Sequence, residues 1–321
     1  MAVNRATVWV LIAGALVVGP VALWVAAESA AEDETVVRYD RESRYYRIRV
    51  VDYPAKGRRC LYFSKSRGIQ SSMILSDPTA LDLKYSQAMM AALALHEDPQ
   101  DVLLVGLGGA SIPKFLQKHF PQMRQDIVEI DPDVVKVCQE WFEFRGSPQV
   151  RVIVMDGRVY LKRTRKKYDV ILLDAYAADH IPFHLTTLEF VHLVKAHLKP
   201  GGLMASNLWE PAVNRFYAAE LKTFQVTFPQ VYTLRADTTG NVIVFGTQPE
   251  EVMTAKAWVD RAKERVGGRD WGFDLPGLIG RWYKRLTDQR IAEAPLTDDM
   301  APVNTLRYEH PKYFEEEAPP P

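Results

Sequence analysis

The sequence predicts an α/β protein in which a small antiparallel β domain precedes a central, mostly parallel sheet, with a transmembrane helix at the N-terminus. Three observations support this fold class. A glycine turn joins an apolar strand to an amphipathic helix, acidic residues end successive apolar strands, and a long uncharged run lies near the N-terminus. Alternation of strands with helices is typical of βαβ units, which form parallel sheets.

The central fold begins at residues 101–120, DVLLVGLGGASIPKFLQKHF, where an apolar strand runs into a turn containing Gly106 and Gly108. Doubly wound folds hold a nucleoside at such a turn. Ser111 stands where the GxGxxG fingerprint has its third glycine, and the turn carries neither a GK[ST] motif nor a basic residue before Lys114. The turn therefore favours an adenosyl group without phosphates over ATP, and a sulfonium nucleoside over NAD.

Acidic residues end the next three predicted strands. QDIVEID ends in Glu129 and Asp131, about twenty residues beyond the glycines, which is the distance at which this fold places an acid on ribose hydroxyls. The following strands end at Asp156-Gly157 and at Asp174. Glu129 and Asp131 are also placed to cap the next helix. Both interpretations hold together if Asp131 starts the helix while Glu129 faces a ligand.

The remaining segments complete a Rossmann-like, seven-stranded sheet of the methyltransferase type. Residues 35–77 predict short antiparallel strands and residues 82–95 a helix. A helix over residues 187–198, stopped at residues 199–202, leads to a strand, a helix over residues 212–228 and a final hairpin. We predict five regions: a membrane anchor or signal segment (1–28), a β domain (33–81), a nucleoside-binding catalytic domain (82–248), a C-terminal helical extension (249–314) and a disordered tail (315–321).

Composition excludes several function classes. Forty basic residues balance forty acidic ones in 321, so no basic field predicts nucleic-acid binding. Cys60 and Cys138 match no metal-ligand spacing, and the helical pattern around Cys138 indicates a core thiol, with a disulfide between the two left open. Asp179, His180 and His184 follow the fourth strand, but their spacing fits no standard metal site. We expect no metal.

Residues 6–27 carry no charge and are about as long as a bilayer-spanning helix requires. Arg5 precedes this run and acidic residues, beginning with Glu28, follow it. The positive-inside rule then places the N-terminus in the cytoplasm and the rest of the chain on the far side. Small residues after the run leave a cleaved secretory peptide as the alternative. An uncleaved single-pass anchor is the favoured interpretation.

The order of motifs resembles a known family. Gly68-Ile69-Gln70 ends the β domain and Tyr85-Ser86 opens a helix, followed by VGLGG, VEID, MDG, YDVILLD and, near the end, LTDDMAPVN. This order, over residues 39–304, is similar to the spermidine synthase (polyamine aminopropyltransferase) family, and more closely to its divergent bacterial spermidine-synthase-like members. The resemblance implies a transferase that uses decarboxylated S-adenosylmethionine as co-substrate, with no tightly bound cofactor.

The resemblance also implies roles for single residues. Gln70 lies near the nucleoside, Gly106 and Gly108 form the turn, Glu129 binds the ribose, Asp156 and Gly157 contact the adenine, Asp174 accepts a proton from the attacking amine, and Tyr85 lines the substrate cleft. Tyr176 and Asp179, in the loop after the fourth strand, are further substrate-binding candidates. The implied partner is a small-molecule amine, and a homodimer is compatible with the sequence.

Two departures from the family pattern affect the substrate. The family has an aspartate where this chain has Gly109, and a second one where it has Ala177, and both hold the cationic diamine. Because a buried ammonium needs carboxylate partners, Asp179, Glu210 or another acid would have to substitute. A methyltransferase that uses intact S-adenosylmethionine is the second interpretation, and a non-catalytic membrane-tethered relative is the third. None of these interpretations specifies which amine accepts the transferred group.

Overall fold

The computed structural model describes residues 35–63, 68–175, 182–236, 240–248 and 251–299. The first sheet has four antiparallel strands in chain order. They are β1 (Val36–Glu42), β2 (Arg47–Tyr53), β3 (Arg58–Phe63) and β4 (Ser71–Ile74). A short 3₁₀ helix, Pro54–Lys56, and Gly57 in the left-handed conformation make the turn between β2 and β3. The predicted N-terminal antiparallel unit is confirmed.

The central sheet is Rossmann-like, as predicted, with strand order β12-β10-β11-β9-β8-β5-β6-β7. Its strands are β5 (Asp101–Val105), β6 (Arg124–Glu129), β7 (Val150–Val154), β8 (Tyr168–Leu173), β9 (Leu198–Trp209), β10 (Gln230–Arg235), β11 (Asn241–Thr247) and β12 (Lys284–Arg285). Strands β5 to β9 pair in parallel, whereas β10 and β11 form the predicted antiparallel hairpin. The prediction of seven strands missed β12, a two-residue strand that pairs with β10.

Nine α-helices are described in these ranges. They are α1 (Lys84–Met89), α2 (Ala92–Leu95), α3 (Ser111–His119), α4 (Pro132–Trp141), α5 (Gly157–Arg163), α6 (Leu188–Ala196), α7 (Tyr217–Thr227), α8 (Ala255–Val266) and α9 (Leu275–Trp282). None of these helices combines the length and the apolar composition that a bilayer crossing requires. The predicted anchor at residues 6–27 and the predicted tail lie outside the described residues.

Three predicted helix boundaries are wrong. The helix expected at residues 82–95 is broken at Met90, whose amide bonds three residues back to Gln87 and tightens the turn. Residues 199–202 do not stop α6 but lie inside β9, where they form an irregularity between the pairs Tyr168–Leu198 and Val170–Leu203. The helix expected from residue 212 begins at Tyr217, because Asn214 accepts the Phe216 amide and turns the chain first.

The parallel sheet separates two apolar layers. One face packs against the N-terminal sheet and helices α1, α2, α8 and α9, and the other against α6 and α7. Trp258 of α8 is fully buried, and its indole Nε1 donates to the Ala91 carbonyl at 3.0 Å, so the aromatic residues of the C-terminal extension serve packing. Cys60 and Cys138 are both buried and free, so the disulfide left open by the sequence does not form.

The amino edge of the sheet is neutralised by ion pairs. Asp101 accepts from Arg124 at 2.7 Å and from Lys199 at 2.6 Å, and these cations hold the pKa of its carboxyl well below the ordinary value. Asp169 accepts the Gln100 and Asp101 amides at 3.0 and 2.8 Å, which fixes the start of β5. The acids at this edge are therefore paired with cations or backbone amides, and the carboxyl edge is left for a ligand.

Candidate active site

The glycine turn is built around the first glycine. Gly106 has a φ of +98°, and a Cβ at this position would lie 2.8 Å from the Asp174 carbonyl carbon. The Gly106 amide donates to the Val128 carbonyl at 2.8 Å, and the Asp174 amide donates to the Val105 carbonyl at 2.9 Å. Only glycine fits this approach, which draws the ends of β5, β6 and β8 together.

Glu129 is buried beneath the turn. Its Oε2 accepts the Leu107 amide at 2.9 Å and its Oε1 accepts the Asp131 amide at 3.0 Å. Burial raises its pKa, although these amides oppose the rise. Asp131 caps α4 by accepting the Asp133 amide at 2.9 Å, so helix capping belongs to Asp131 and turn fixation to Glu129.

Asp156 caps α5 and meets a histidine. Its Oδ1 accepts the Val159 amide at 2.8 Å, and its Oδ2 lies 2.6 Å from Nε2 of His184. Burial alone would raise the pKa of Asp156, but the hydrogen bonds from His184 and Val159 outweigh it, and the pKa is lowered. Gly157 is required here because a Cβ would lie 2.5 Å from Cγ1 of Val105.

Asp174, the acid to which the sequence assigns the proton transfer, is half-buried directly after β8. Asn207 Nδ2 donates to its Oδ1 at 3.1 Å, and the Tyr85 hydroxyl also bonds to the carboxylate. Burial raises the pKa of Asp174 to about 7 in spite of these two hydrogen bonds. Burial, followed by the Asp174 charge, raises the pKa of Tyr85 well above its ordinary value. Tyr85, which the sequence predicts to line the substrate cleft, contacts Asp174. Asn207 was missed, although it is a polar residue within the apolar strand LMASNLW.

The N-terminal sheet covers the turn. The Tyr85 hydroxyl lies 3.5 Å from the Gln70 carbonyl oxygen, and the next residue, Ser71, accepts the Gly109 amide on its Oγ at 2.8 Å. The structure therefore brings Gln70 and Tyr85 to the same edge as Gly108, whose added Cβ would lie 3.1 Å from Ser71 Oγ.

The space beside Gly109 is filled by other side chains. A Cβ on Gly109 would lie 2.7 Å from the Ser71 Cβ and 3.0 Å from Cδ1 of Phe142. A carboxylate side chain at this position would have to displace both neighbours, because Cβ contacts below 3.0 Å essentially never occur. Ala177 and the candidates Tyr176 and Asp179 lie outside the described residues.

The C-terminal segment at residues 296–299 contacts Arg158, which follows Gly157, and the start of α6. The Leu188 amide donates to the Leu296 carbonyl at 2.7 Å, and Arg158 Nη1 and Thr187 Oγ1 donate to Asp298 Oδ1 at 2.8 and 2.7 Å. Arg158 also donates to the His184 carbonyl at 3.2 Å. Among the described residues, no group of acidic, histidine or cysteine side chains could hold a metal.

The fold and this edge define a Rossmann-like α/β protein of the methyltransferase type. Residues 83–246 match the spermine/spermidine synthase domain, and the chain belongs to this family. It is 32% identical to the polyamine aminopropyltransferase of Vibrio vulnificus over 208 residues, which are 63% of this chain and 68% of the relative.

Solved structures are similar as well. A probable spermidine synthase from Corynebacterium glutamicum superposes with a TM-score of 0.65 at 20% identity, covering 82% of this chain and 97% of that one, which shows the shared fold. Human methyltransferase-like protein 13 in complex with SAH superposes with a TM-score of 0.52 at 30% identity, covering 60% of this chain and 95% of that one.

Restoring an acid beside the glycine turn should destabilise the protein. Gly109→Asp forces a Cβ against Ser71 and Phe142, and we expect a loss of about 1–3 kcal/mol in the free energy of unfolding. The measurement is equilibrium unfolding in urea. Adding Ser71→Gly to the Gly109→Asp variant removes the contact with the Ser71 Cβ, so it should recover part of the lost free energy of unfolding.

Gly146→Asp is the matched control for this experiment, because a Cβ there meets nothing within 4 Å. We expect it to change stability by less than about 0.5 kcal/mol. Equal stability of the two variants would show that the turn has room for an acid.

Proposed function

We propose that this protein transfers an aminopropyl group from decarboxylated S-adenosylmethionine to an amine, with Asp174 as the proton acceptor. The observation that carries the proposal is the half-buried Asp174 carboxylate, which follows the strand beside the glycine turn, accepts from Asn207 and Tyr85, and has a pKa of about 7. Membership of the spermine/spermidine synthase family supports the proposal, and so does the 32% identity to the polyamine aminopropyltransferase of Vibrio vulnificus. The substrate class is therefore small amines.

The reaction is a displacement at the carbon next to a sulfonium. The amine nitrogen forms the new C–N bond, the C–S bond breaks, and a neutral thioether leaves, so the leaving group needs no acid. A free alkylammonium has a pKa of about 10 and must lose its proton before or during attack. Asp174, held by Asn207 and Tyr85, is placed to accept that proton and to orient the nitrogen lone pair.

The donor would be held by the residues around the turn. Gly106 and Gly108 allow its close approach, Glu129 would accept from the ribose, and Asp156 with Gly157 and Gln70 would contact the rest of the nucleoside. The Glu129 carboxylate accepts the Leu107 and Asp131 amides, and a third backbone hydrogen bond comes from Ile130. Since the two carboxylate oxygens have about four lone pairs, one remains for a ribose hydroxyl. Tyr85, Tyr176 and Asp179 are the proposed contacts to the acceptor amine.

Asp174→Asn should reduce kcat by about 10²–10⁴-fold while methylthioadenosine binding is retained, because the amide cannot accept the proton. In the wild type, kcat should rise with pH through about 7, since only the ionised Asp174 is a base. The variant should lack this rise. Steady-state kinetics from pH 5.5 to 9 and calorimetry with methylthioadenosine provide the measurements.

Asp288→Asn is the matched control, because the Asp288 side chain is 74% exposed and lies outside the site. Its kcat and pH profile should equal those of the wild type. Wild-type activity in Asp174→Asn would end the assignment of the proton acceptor.

A methyltransferase is the second candidate, and the environment of Gly109 favours it. With Ser71 and Phe142 against this position, the turn offers no acid to hold a cationic amine. Human methyltransferase-like protein 13, the relative with SAH bound, is 30% identical to this chain. Without that acid, the carboxylate of intact S-adenosylmethionine meets less repulsion in the turn.

Calorimetry distinguishes these donors. We expect decarboxylated S-adenosylmethionine and methylthioadenosine to bind, with the decarboxylated donor tighter than S-adenosylmethionine. Binding of only the carboxylated donor would favour methyl transfer. No binding of any of the three would favour a non-catalytic relative.

We further propose that residues 6–27 anchor the chain in a membrane, with the residues after Glu28 outside the cytoplasm. The uncharged run, the preceding Arg5 and the following acids support this. Membranes washed at high pH should retain the full chain and release one that lacks residues 1–28. Release of the full chain would contradict the anchor, and N-terminal sequencing would reveal a cleaved signal peptide.

A further inference from the structure

Asn207 of β9 and Asn241 of β11 form a pair of buried amides beside Asp174. Asn207 is 7% exposed and Asn241 is 8% exposed. Asn207 Nδ2 donates to Asp174 Oδ1 at 3.1 Å, and Asn241 Nδ2 donates to Asn207 Oδ1 at 3.0 Å. The three side chains therefore form one continuous line of hydrogen bonds, in which the proposed mechanism gives Asn241 no role.

The strand register of the central sheet brings these three residues together. Strands β8 and β9 pair in parallel up to the residues just before Asp174 and Asn207, which therefore follow side by side. Asn207 lies opposite Ile243 of β11, and Asn241 is two residues from Ile243. Because side chains two residues apart in a strand point to the same face, Asn241 is a diagonal neighbour of Asn207. The contact is thus set by the pairing of three strands.

The carboxylate of Asp174 fixes the orientation of both amides. An ionised carboxylate only accepts hydrogen bonds, so Asn207 must direct its NH₂ group at Asp174 and its carbonyl oxygen away from it. That oxygen then requires a donor, which Asn241 supplies. If Asn207 turned over alone, its carbonyl oxygen would face the carboxylate and its NH₂ group would face the NH₂ group of Asn241. Both hydrogen bonds would then be lost, so Asn241 holds Asn207 in the orientation that suits an ionised acid.

In the described part of the chain, the groups that set the pKa of Asp174 are neutral. Burial raises the pKa to about 7, and the hydrogen bonds from Asn207 and Tyr85 oppose the rise. Tyr85, from α1, is the titratable group in contact with the carboxylate, whereas β9 and β11 contribute the two amides to the line. Beyond β9, Glu210 is paired with Arg235, whose Nη2 donates to it at 3.0 Å. The amides therefore carry the stabilisation that cations provide at the amino edge of the sheet.

We propose that Asn241 is a positioning residue for the proton acceptor and that it acts through Asn207. By holding the Asn207 carbonyl oxygen, Asn241 keeps the Asn207 NH₂ group directed at Asp174 and so stabilises the carboxylate in the form that takes a proton. Asn207 and Tyr85 together fix the carboxylate, and its remaining lone pairs are available to the ammonium of the acceptor. This inference rests on the proposed role of Asp174 in aminopropyl transfer.

The test follows the protonation of Asp174 by infrared difference spectroscopy in the full-length variants Asn207→Leu, Asn241→Leu and the double variant. Each is compared with the same chain carrying Asp174→Asn, which assigns the carboxyl band. Asn207→Leu removes a donor, so the pKa of Asp174 should rise from about 7 to about 8 or above. Asn241→Leu should raise it by less, because the Asn207 amide can then turn over. The double variant should match Asn207→Leu, since Asn241 acts only through Asn207.

The kinetic consequence is a displaced pH profile of kcat. In Asn241→Leu the rise of kcat should occur at higher pH than in the wild type, and kcat above that rise should be retained, whereas a merely structural defect would lower kcat at every pH. Circular dichroism reports folding, and Asn241→Ala replaces Asn241→Leu if that chain is unfolded, with the same expected direction. Thr247→Val is the matched control, because Thr247 is also buried but lies at the opposite end of β11. It should titrate as the wild type does.

The inference is overturned if the folded Asn241 variant leaves the Asp174 titration unchanged. It is also overturned if the effects of the two single variants add in the double variant, or if the Asn241 variant lowers kcat equally at every pH. The infrared titration requires no turnover, so it is independent of aminopropyl transfer. Absence of transfer together with the expected titrations would contradict the proposed function alone.

Discussion

The close approach of Gly106 to the Asp174 backbone is the constraint on which the site depends. With no side chain on Gly106, β5 and β8 can end side by side, and the Asp174 amide bonds across to Val105. The Leu107 amide that follows is then held by Glu129 from β6. One missing methyl group thus sets where three strand ends meet, and the positions of the carboxylates at this edge follow from it.

The carboxylates at the two edges of the central sheet have different partners, and their pKa values shift in opposite directions. At the amino edge, Asp101 and Asp169 meet Lys199, and the pKa of each carboxyl is lowered. At the carboxyl edge, the half-buried Asp174 accepts from the Asn207 amide and the Tyr85 hydroxyl, and burial raises its pKa to about 7. Ionised acids at the amino edge favour folding, whereas ionising Asp174 is costly without a cation.

Sequence reasoning succeeded where the signal was local. The strand–turn–helix pattern around Gly106 and the capping by Asp131 depend on neighbours a few residues away, and both could be predicted. Asn207 and the pair of Asn214 with Glu220 could not, because their contacts depend on strand order and on a loop conformation that no local pattern encodes. The early break at Met90 was missed for the same reason, since α1 and α2 are buried on nearly all sides and packing overrides helix periodicity.

Gly109 is packed so closely that the acid which the family resemblance implies at this position has no space. Ser71 occupies the space beside the turn and accepts the Gly109 amide at 2.8 Å, so the N-terminal sheet now contacts the backbone that a side chain would otherwise separate from it. Restoring an acid therefore calls for a change at Ser71 as well, because the Ser71 Cβ would lie 2.7 Å from a Cβ on Gly109.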